Sequence, residues 1–527
     1  MNKLSAVFIL IIILATGLCY VNSLHNQFIW DDEDWILKNS TVKDWHAWPD
    51  LLTQNSIQGA RKGSNFYRPL QAITHGIDYL LWQYALPGHH VTNIIFHCLA
   101  AIALFLLLSR IFSQNIAFLS ALFFAVHPIQ TEAVTYISGR ADPMAALFIL
   151  LTILLFEKNL ILSCLFFLCA ILSKESALVT PALVVIYLFL KDADIKKVFK
   201  KILPLLIILG VYGVLRLTVL NFTHTIPENV PKPFFYVPIY IRASTFLKTL
   251  PVYFRILFWP FGLHMERDIS LSYSVFELQS LLGLFIILAS FIVGYRIRKQ
   301  QKILLFSAAW FFIVMFPNSN IIPINALIYE HWLYLPSVGF FVALAWTLDR
   351  LLKKGSAARF ISIALIIFIS LFYIWRTFDR NKEWRSPISF YESTIRYKPD
   401  SARLHNNLAM AYVDEGRSKD AIRAYRKAIQ VGDYYAQPHY NLSNIYLKNG
   451  DYDSAIKELK RSIEIDNGFL YSHESLAVIY FNQDRFSEAK KEALFVLERE
   501  PQNRIAREVL GKISGAAVFD YSPEYTQ

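Results

Sequence analysis

The chain has 527 residues, 55% of them hydrophobic and only 18% charged, with a mean hydropathy of +0.36. That balance excludes an ordinary soluble globular protein and reads as a polytopic membrane domain followed by a polar one. The net charge of +11 is not a nucleic-acid signal, because much of the Lys and Arg falls in short loops between apolar runs or on repeat surfaces.

The first apolar run, 4–21, follows a lone Lys3 and precedes no small-residue cleavage pattern, so it is expected to be an uncleaved span. A polar first loop, 22–90, comes next and holds the acidic stretch Trp30-Asp31-Asp32-Glu33-Asp34-Trp35. Further apolar runs lie near 91–109, 116–126, 143–156, 160–172, 176–190, 202–220, 277–295, 303–316, 335–348 and 360–375, for about eleven spans in all. Residues 243–262 are apolar but contain Lys248, Pro251, Arg255 and Pro260, so they are expected to be interfacial or re-entrant. The basic stretches 191–201, 296–299 and 349–359 belong inside by the positive-inside rule. The first loop, 131–142, 173–175 and 318–334 then lie outside, and so does the C-terminal domain. The basic run 376–385 argues mildly against that last placement. Cys19, Cys98, Cys164 and Cys169 all sit in apolar runs and read as small buried hydrophobes.

Beyond residue 378 the sequence repeats every 34 residues. Leu408, Leu442 and Leu476 recur, as do Tyr412, Tyr446 and Tyr480, and Ala421, Ala455 and Ala489. Gly416 and Gly450 match as well. This is the tetratricopeptide pattern, a helix pair per unit with Ala where helices touch. The expected layout is a membrane domain over 1–378 and a repeat domain over 379–527. The latter divides into a half-repeat 388–401, repeats 402–435, 436–469 and 470–503, and a cap 504–527. The fold class is all-α: a multispanning helical domain followed by an α-solenoid. The repeats suit a protein or peptide partner, or serve as a spacer.

Ionisable residues gather at the outer helix ends: Asp31 and Asp32, then the run from His127 to Asp142, then Lys174, with Glu330 and His331 as additions. Charges beside hydrocarbon are expensive and tend to carry function. Carboxylates beside cations suit glycosyl transfer from a lipid-linked sugar: the acceptor hydroxyl needs a base and the leaving phosphate needs positive charge or a metal. Each residue taken singly also has a structural reading: Glu132 and Lys174 paired to loop charges, His127 as a helix cap, His97 in an interhelical hydrogen bond. No zinc-type spacing, phosphate loop or nucleophile elbow occurs.

The motif order resembles the transmembrane and tetratricopeptide repeat O-mannosyltransferases of the glycosyltransferase C superfamily. The pieces that carry the resemblance are Trp30-Asp31-Asp32, Tyr67-Arg68-Pro69-Leu70, and His90 through Asn93 to His97. They continue with Ala125 through Asp142, Lys174-Glu175, Phe316-Pro317-Asn318-Ser319-Asn320, Tyr334 through Gly339, and Arg380-Asn381 with Trp384-Arg385. The resemblance implies a polyprenyl- or dolichyl-phosphate sugar donor, with mannose the expected sugar, and inverting transfer to a protein Ser or Thr. It implies Asp31 and Asp32 as the catalytic pair, one the general base, the other binding a divalent metal or orienting the acceptor. Arg68, His127, Glu132, Asp142, Glu330 and His331 would position donor or acceptor; Arg140 and Lys174 are assigned to the donor phosphate by charge. The repeat array is short, which suggests a prokaryotic member in the cytoplasmic membrane; a eukaryotic one would sit in the endoplasmic reticulum. The rival readings are a non-catalytic membrane scaffold for an envelope complex, and the same enzyme class acting on lipid or polysaccharide.

Overall fold

A computed structural model describes residues 3–191, 195–223, 237–298, 302–324 and 326–515. The cap beyond residue 515, the 224–236 stretch and part of the basic stretches at 191–201 and 296–299 lie outside the described residues. Those described are helical or irregular, with no strand among them. The chain divides into two units, 1–390 and 391–527.

In the first unit the helices are α1 Lys3–Tyr20, α2 Pro69–Trp82, α3 Leu86–Leu108, α4 Gln114–Val126, α5 Ala141–Leu155, α6 Leu160–Ser173, α7 Thr180–Leu190 and α8 Ile195–Leu217. They continue with α9 Ile239–Phe258, α10 Leu278–Arg296, α11 Ile303–Met315, α12 Ser337–Leu352 and α13 Ser356–Arg380. Helix α4 is the centre, packed by α1, α3, α12 and α13. Association in lipid gains nothing from hydrocarbon burial alone, so close packing of small residues must supply it. Ala100, Ala101 and Ala103 of α3, Ala121 and Ala125 of α4, and Ala145 and Ala146 of α5 accordingly lie in the core.

Among the described residues, six helices are long and apolar enough to cross a membrane, or seven if the bent pair Gln114–Val126 and Pro128–Val134 is one span. That is fewer than the eleven read from hydropathy. The apolar helices Leu160–Ser173, Glu175–Leu190 and Ile303–Asn318 fall short of the length needed. At about 1.5 Å per residue they do not cover about 30 Å of hydrocarbon. Hydropathy marks apolar surroundings, and protein supplies these as well as lipid does.

Helix α9 covers most of the ambiguous 243–262 stretch and is continuous through Pro251. Both its ends meet loops at one end of the bundle. Arg242 donates to the carbonyls of Asn320 and Ile321. At the other terminus the Leu257 carbonyl bonds His127 Nε2 at 3.2 Å, and Pro260 accepts from Arg376. This arrangement fits a helix lying along the bundle end.

The second unit is a stack of helix pairs: Ala402–Asp414 with Ser418–Val431, Ala436–Lys448 with Tyr452–Ile465, and Leu470–Asn482 with Phe486–Arg499, then Arg504–Ile513. Ala421, Ala455 and Ala489 are fully buried where the paired helices touch. Each pair turns through a left-handed residue: Gly416 at φ 72°, Gly450 at φ 78° and, in the third repeat, Asp484 at φ 60°. The next N–H reaches back to the carbonyl of Tyr412, Tyr446 or Tyr480 at 2.8–2.9 Å, which caps the helix. Only at Asp484 does a Cβ have to bear that conformation. Asp484→Gly is expected to stabilise the repeats by about 0.5–1 kcal/mol. A rise in the melting midpoint of the full chain's repeat transition, followed by circular dichroism, checks this.

Candidate active site

The segment 127–142, between α4 and α5, is the hub that Asp31, Asp32, Lys174 and His331 contact, whereas Arg68 and Glu330 pair with residues outside it. Its side chains tie down a different element at almost every turn. His127 Nδ1 accepts from the Ile129 N–H at 3.0 Å, capping the short helix that follows Pro128. Gln130 donates to Ser337 Oγ at 3.2 Å. Glu132 Oε1 pairs with His331 Nδ1 at 2.6 Å, while Oε2 accepts from the His331 N–H at 3.2 Å. Asp142 pairs with Lys174 Nζ at 2.6 Å. The chain folds tightly on itself here: a Cβ on Gly139 would meet the Glu132 carbonyl oxygen at 2.6 Å.

The first loop docks on this hub through its acids. Asp32 is 1% exposed. Its Oδ1 accepts from the Ser138 N–H at 2.8 Å and from Ser138 Oγ at 2.5 Å. Its Oδ2 accepts from the Ile29 N–H at 2.9 Å. Asp31 is exposed, and its N–H donates to the Tyr136 hydroxyl at 3.1 Å. Tyr136 stacks on Trp384, and burial with the charges of Asp31 and Asp32 holds its hydroxyl protonated. Trp30, just before the pair, has φ 57°, a conformation a bulky residue keeps only when its surroundings impose it. The backbone thus turns sharply to present two adjacent carboxylates in opposite senses, one into the protein and one outward.

Below Ser138 lies Arg140, fully buried. It is bonded to Asp78 and donates to Asn93 Oδ1 at 2.6 Å and the His89 carbonyl at 3.2 Å. Asn93 returns three bonds, to the carbonyls of Val134, Tyr136 and Ile137. Where Arg140 stands, its charge is committed to Asp78 and it has no surface to offer a phosphate. Glu330 is equally committed: Oε1 accepts from Arg267 at 2.5 Å and Oε2 from Arg380 at 2.8 Å, with no exposure left. His127, buried and capping, likewise has no open face.

Lys174, Arg68 and His331 keep some surface. Lys174 and Asp142 border a cavity of about 20 Å³ with Trp332 and Pro336, room for about one water. Arg68 Nε pairs with Glu175 Oε2 at 3.0 Å and is 18% exposed. His97 joins Tyr334 at 2.6 Å and the Ala125 carbonyl at 3.0 Å, an interhelical role.

The tetratricopeptide repeat family matches at residues 390–438 and 406–468. Among curated proteins, the chain is 29% identical to the Caenorhabditis elegans protein O-mannosyl-transferase F38B6.6, over 81% of this chain and 63% of that one. It is 26% identical to the human protein O-mannosyl-transferase TMTC3, over 78% of this chain and 50% of that one. Human protein O-mannosyl-transferase TMTC1 is also 26% identical, over 79% of this chain and 54% of that one. By sequence the chain is similar to the TMTC protein O-mannosyl-transferases. It spans between half and two thirds of the length of these relatives. A crystal structure of MamA protein overlaps 24% of the chain at 20% identity and a TM-score of 0.23.

Two residues of this site have no signal in the sequence motifs, Asp78 and Arg267, while Tyr136 and Ser138 lie within the run from Ala125 to Asp142, where nothing marks them as partners of the first-loop acids. Asp78 alone is detectable in principle, as an acid inside the largely apolar α2 that must find a partner. The expected metal at Asp31 and Asp32 does not suit these residues. Both oxygens of Asp32 already accept N–H or O–H donors, and no three His, Cys, Asp or Glu gather as a ligand set among the described residues.

Burial raises Asp32 from 3.8 to about 7, although Ser138 and Ile29 donate to it. A raised carboxyl binds its proton more tightly folded than unfolded, so its stabilising contribution is complete below the unfolded value. It is lost as pH rises toward the folded value. The melting midpoint is therefore expected to fall between about pH 4 and pH 7. Asp32→Asn should flatten that slope, as a melt series across this range would register.

Proposed function

We propose that the chain is an integral-membrane inverting glycosyltransferase. It moves mannose from a polyprenyl- or dolichyl-phosphate donor to a Ser or Thr hydroxyl of a protein, on the extracytoplasmic side. The observation that carries this reading is the lock between Asp32 and Ser138. It fastens the first-loop acids to the hub segment and leaves Asp31 facing outward. The names of the relatives support the reaction class.

In this reading Asp31 is the general base. It takes the proton of the acceptor hydroxyl as that oxygen attacks the anomeric carbon, and the polyprenyl phosphate departs from the opposite face. Asp32 is a positioning residue: it fixes the turn that aims Asp31. Lys174 and Arg68, the cations with surface, would meet the charge that grows on the departing phosphate. Arg140, Glu330 and His127 hold the scaffold, and Glu132 orients His331 toward the same face. The repeats gather the protein acceptor.

The test is transfer in purified form. Detergent-solubilised protein is supplied with polyprenyl-phosphate-mannose and Ser/Thr peptides, and the products are read by mass spectrometry. A gain of one hexose on peptide, with inverted anomeric configuration, is expected. Hexose appearing only on lipid or polysaccharide would move the acceptor and keep the enzyme class. No transfer to any of these acceptors, from a donor that stays intact, would favour the scaffold.

A further inference from the structure

The end of the bundle remote from these acids carries a second concave site. It lies between the turn after α3, the start of α11 and the last turns of α12, and holds about 670 Å³. Helix α4 separates the two places. Its start, with Ile116, borders this pocket, and its end leads into His127. Thirteen residues of helix set them about 20 Å apart, so this is not the site of the transfer reaction.

The pocket is two-natured. Four cations line it: Lys302, Arg350, Lys353 and Lys354. One carboxylate, Asp349, is 2% exposed and already accepts from Lys353 Nζ at 2.5 Å and Asn115 Nδ2 at 3.4 Å. The basic charge thus exceeds the acidic charge and gathers at the rim. Arg350 is held over the Trp346 ring at 5.1 Å and Lys302 over the Phe189 ring at 5.9 Å. Apart from Ser113, the rest of the lining is apolar, with Phe112, Ile116, Leu190 and Ile303.

We propose that this pocket binds the phosphodiester headgroup of an anionic membrane lipid. Each feature answers a part of that ligand. The cations meet the phosphate, and the apolar wall meets the glycerol and upper acyl chain, for which a free phosphate has no use. The position suits it too. The pocket sits at helix ends, where headgroups lie, and Trp346 is an indole of the kind that prefers that depth. The positive-inside rule puts this end at the cytoplasmic leaflet, where anionic lipids attract basic patches.

The decisive experiment compares three probes on the full chain in neutral detergent: dioctanoyl phosphatidylglycerol, dioctanoyl phosphatidylcholine and sodium phosphate. Bound adducts are counted by native mass spectrometry. Phosphatidylglycerol is expected to bind at least about tenfold more tightly than phosphatidylcholine at low salt, with the preference shrinking at high salt. In the double variant Arg350→Gln/Lys354→Gln its affinity should fall by roughly thirtyfold. The charge-preserving pair Arg350→Lys/Lys354→Arg should keep it. Equal binding of the two lipids by the unmodified chain, or full binding by the glutamine pair, overturns the proposal. Sodium phosphate displacing the lipid at matched concentration also overturns it, by making this a soluble-anion site. Should the glutamine pair fail to fold, the lipid comparison on the unmodified chain at low and high salt still decides.

Discussion

Asp31→Asn is expected to lower the rate of hexose transfer by about 10²–10⁴-fold while leaving the protein folded and inserted. The amide matches the carboxylate in shape but cannot take the acceptor's proton. The backbone contacts of the turn do not depend on the side chain: the Asp31 carbonyl accepts from the Trp35 N–H at 2.9 Å, and its N–H meets Tyr136. The neighbouring Asp32→Asn should behave differently. Asn keeps one acceptor oxygen and brings an amide that must face either Ser138 or Ile29, both donors. A buried donor facing a donor costs about 1–3 kcal/mol, so this variant should lose melting temperature as well as rate. Initial rates at saturating donor, paired with a thermal melt, separate the two. An active Asp31→Asn beside a well-folded but inert Asp32→Asn would exchange the roles.

The contrast between the two aspartates shows where sequence reading stops. The acidic pair and the run His127 to Asp142 stand out from the string, because charged residues beside apolar runs need a reason. That Asp32 reaches Ser138, 106 residues away, has no local signature. Nor does the burial of Arg140, whose partner Asp78 lies 62 residues back. A charge looks available in a sequence until its partner is known, and Arg140 and Glu330 are both buried against opposite charges. The repeats were legible for the opposite reason. Their contacts are local, so Leu408, Tyr412 and Ala421 recur at the spacing of the contacts themselves. Asp484 is the place where that period fails to print a glycine although the backbone still asks for one. Hydropathy located the apolar helices, of which six among the described residues are long and apolar enough to cross a membrane. A segment such as Ile303–Asn318 is apolar, yet shorter than a span.

Arg140→Met is expected to destabilise the membrane unit by about 3–5 kcal/mol, since it strands the buried Asp78 carboxylate. Arg140→Lys should recover little. One ammonium cannot serve Asp78, Asn93 and the His89 carbonyl in the directions that a planar guanidinium does. The double variant Asp78→Asn/Arg140→Met should regain part of the loss, because removing both charges relieves the burial penalty that removing one exposes. Asn93 makes the effect more than local. Its carbonyl oxygen accepts from Arg140 and its amide holds the carbonyls of Val134, Tyr136 and Ile137. Loosening Arg140 therefore loosens Tyr136 and Ser138, the two residues on which the acidic turn rests. The measurement is a pair: the melting midpoint of each variant and its KM for the lipid-linked sugar. If Arg140 instead touches the donor phosphate, Arg140→Met will melt like the unmodified chain and show only a raised donor KM. In that case the double variant will gain nothing over the single one.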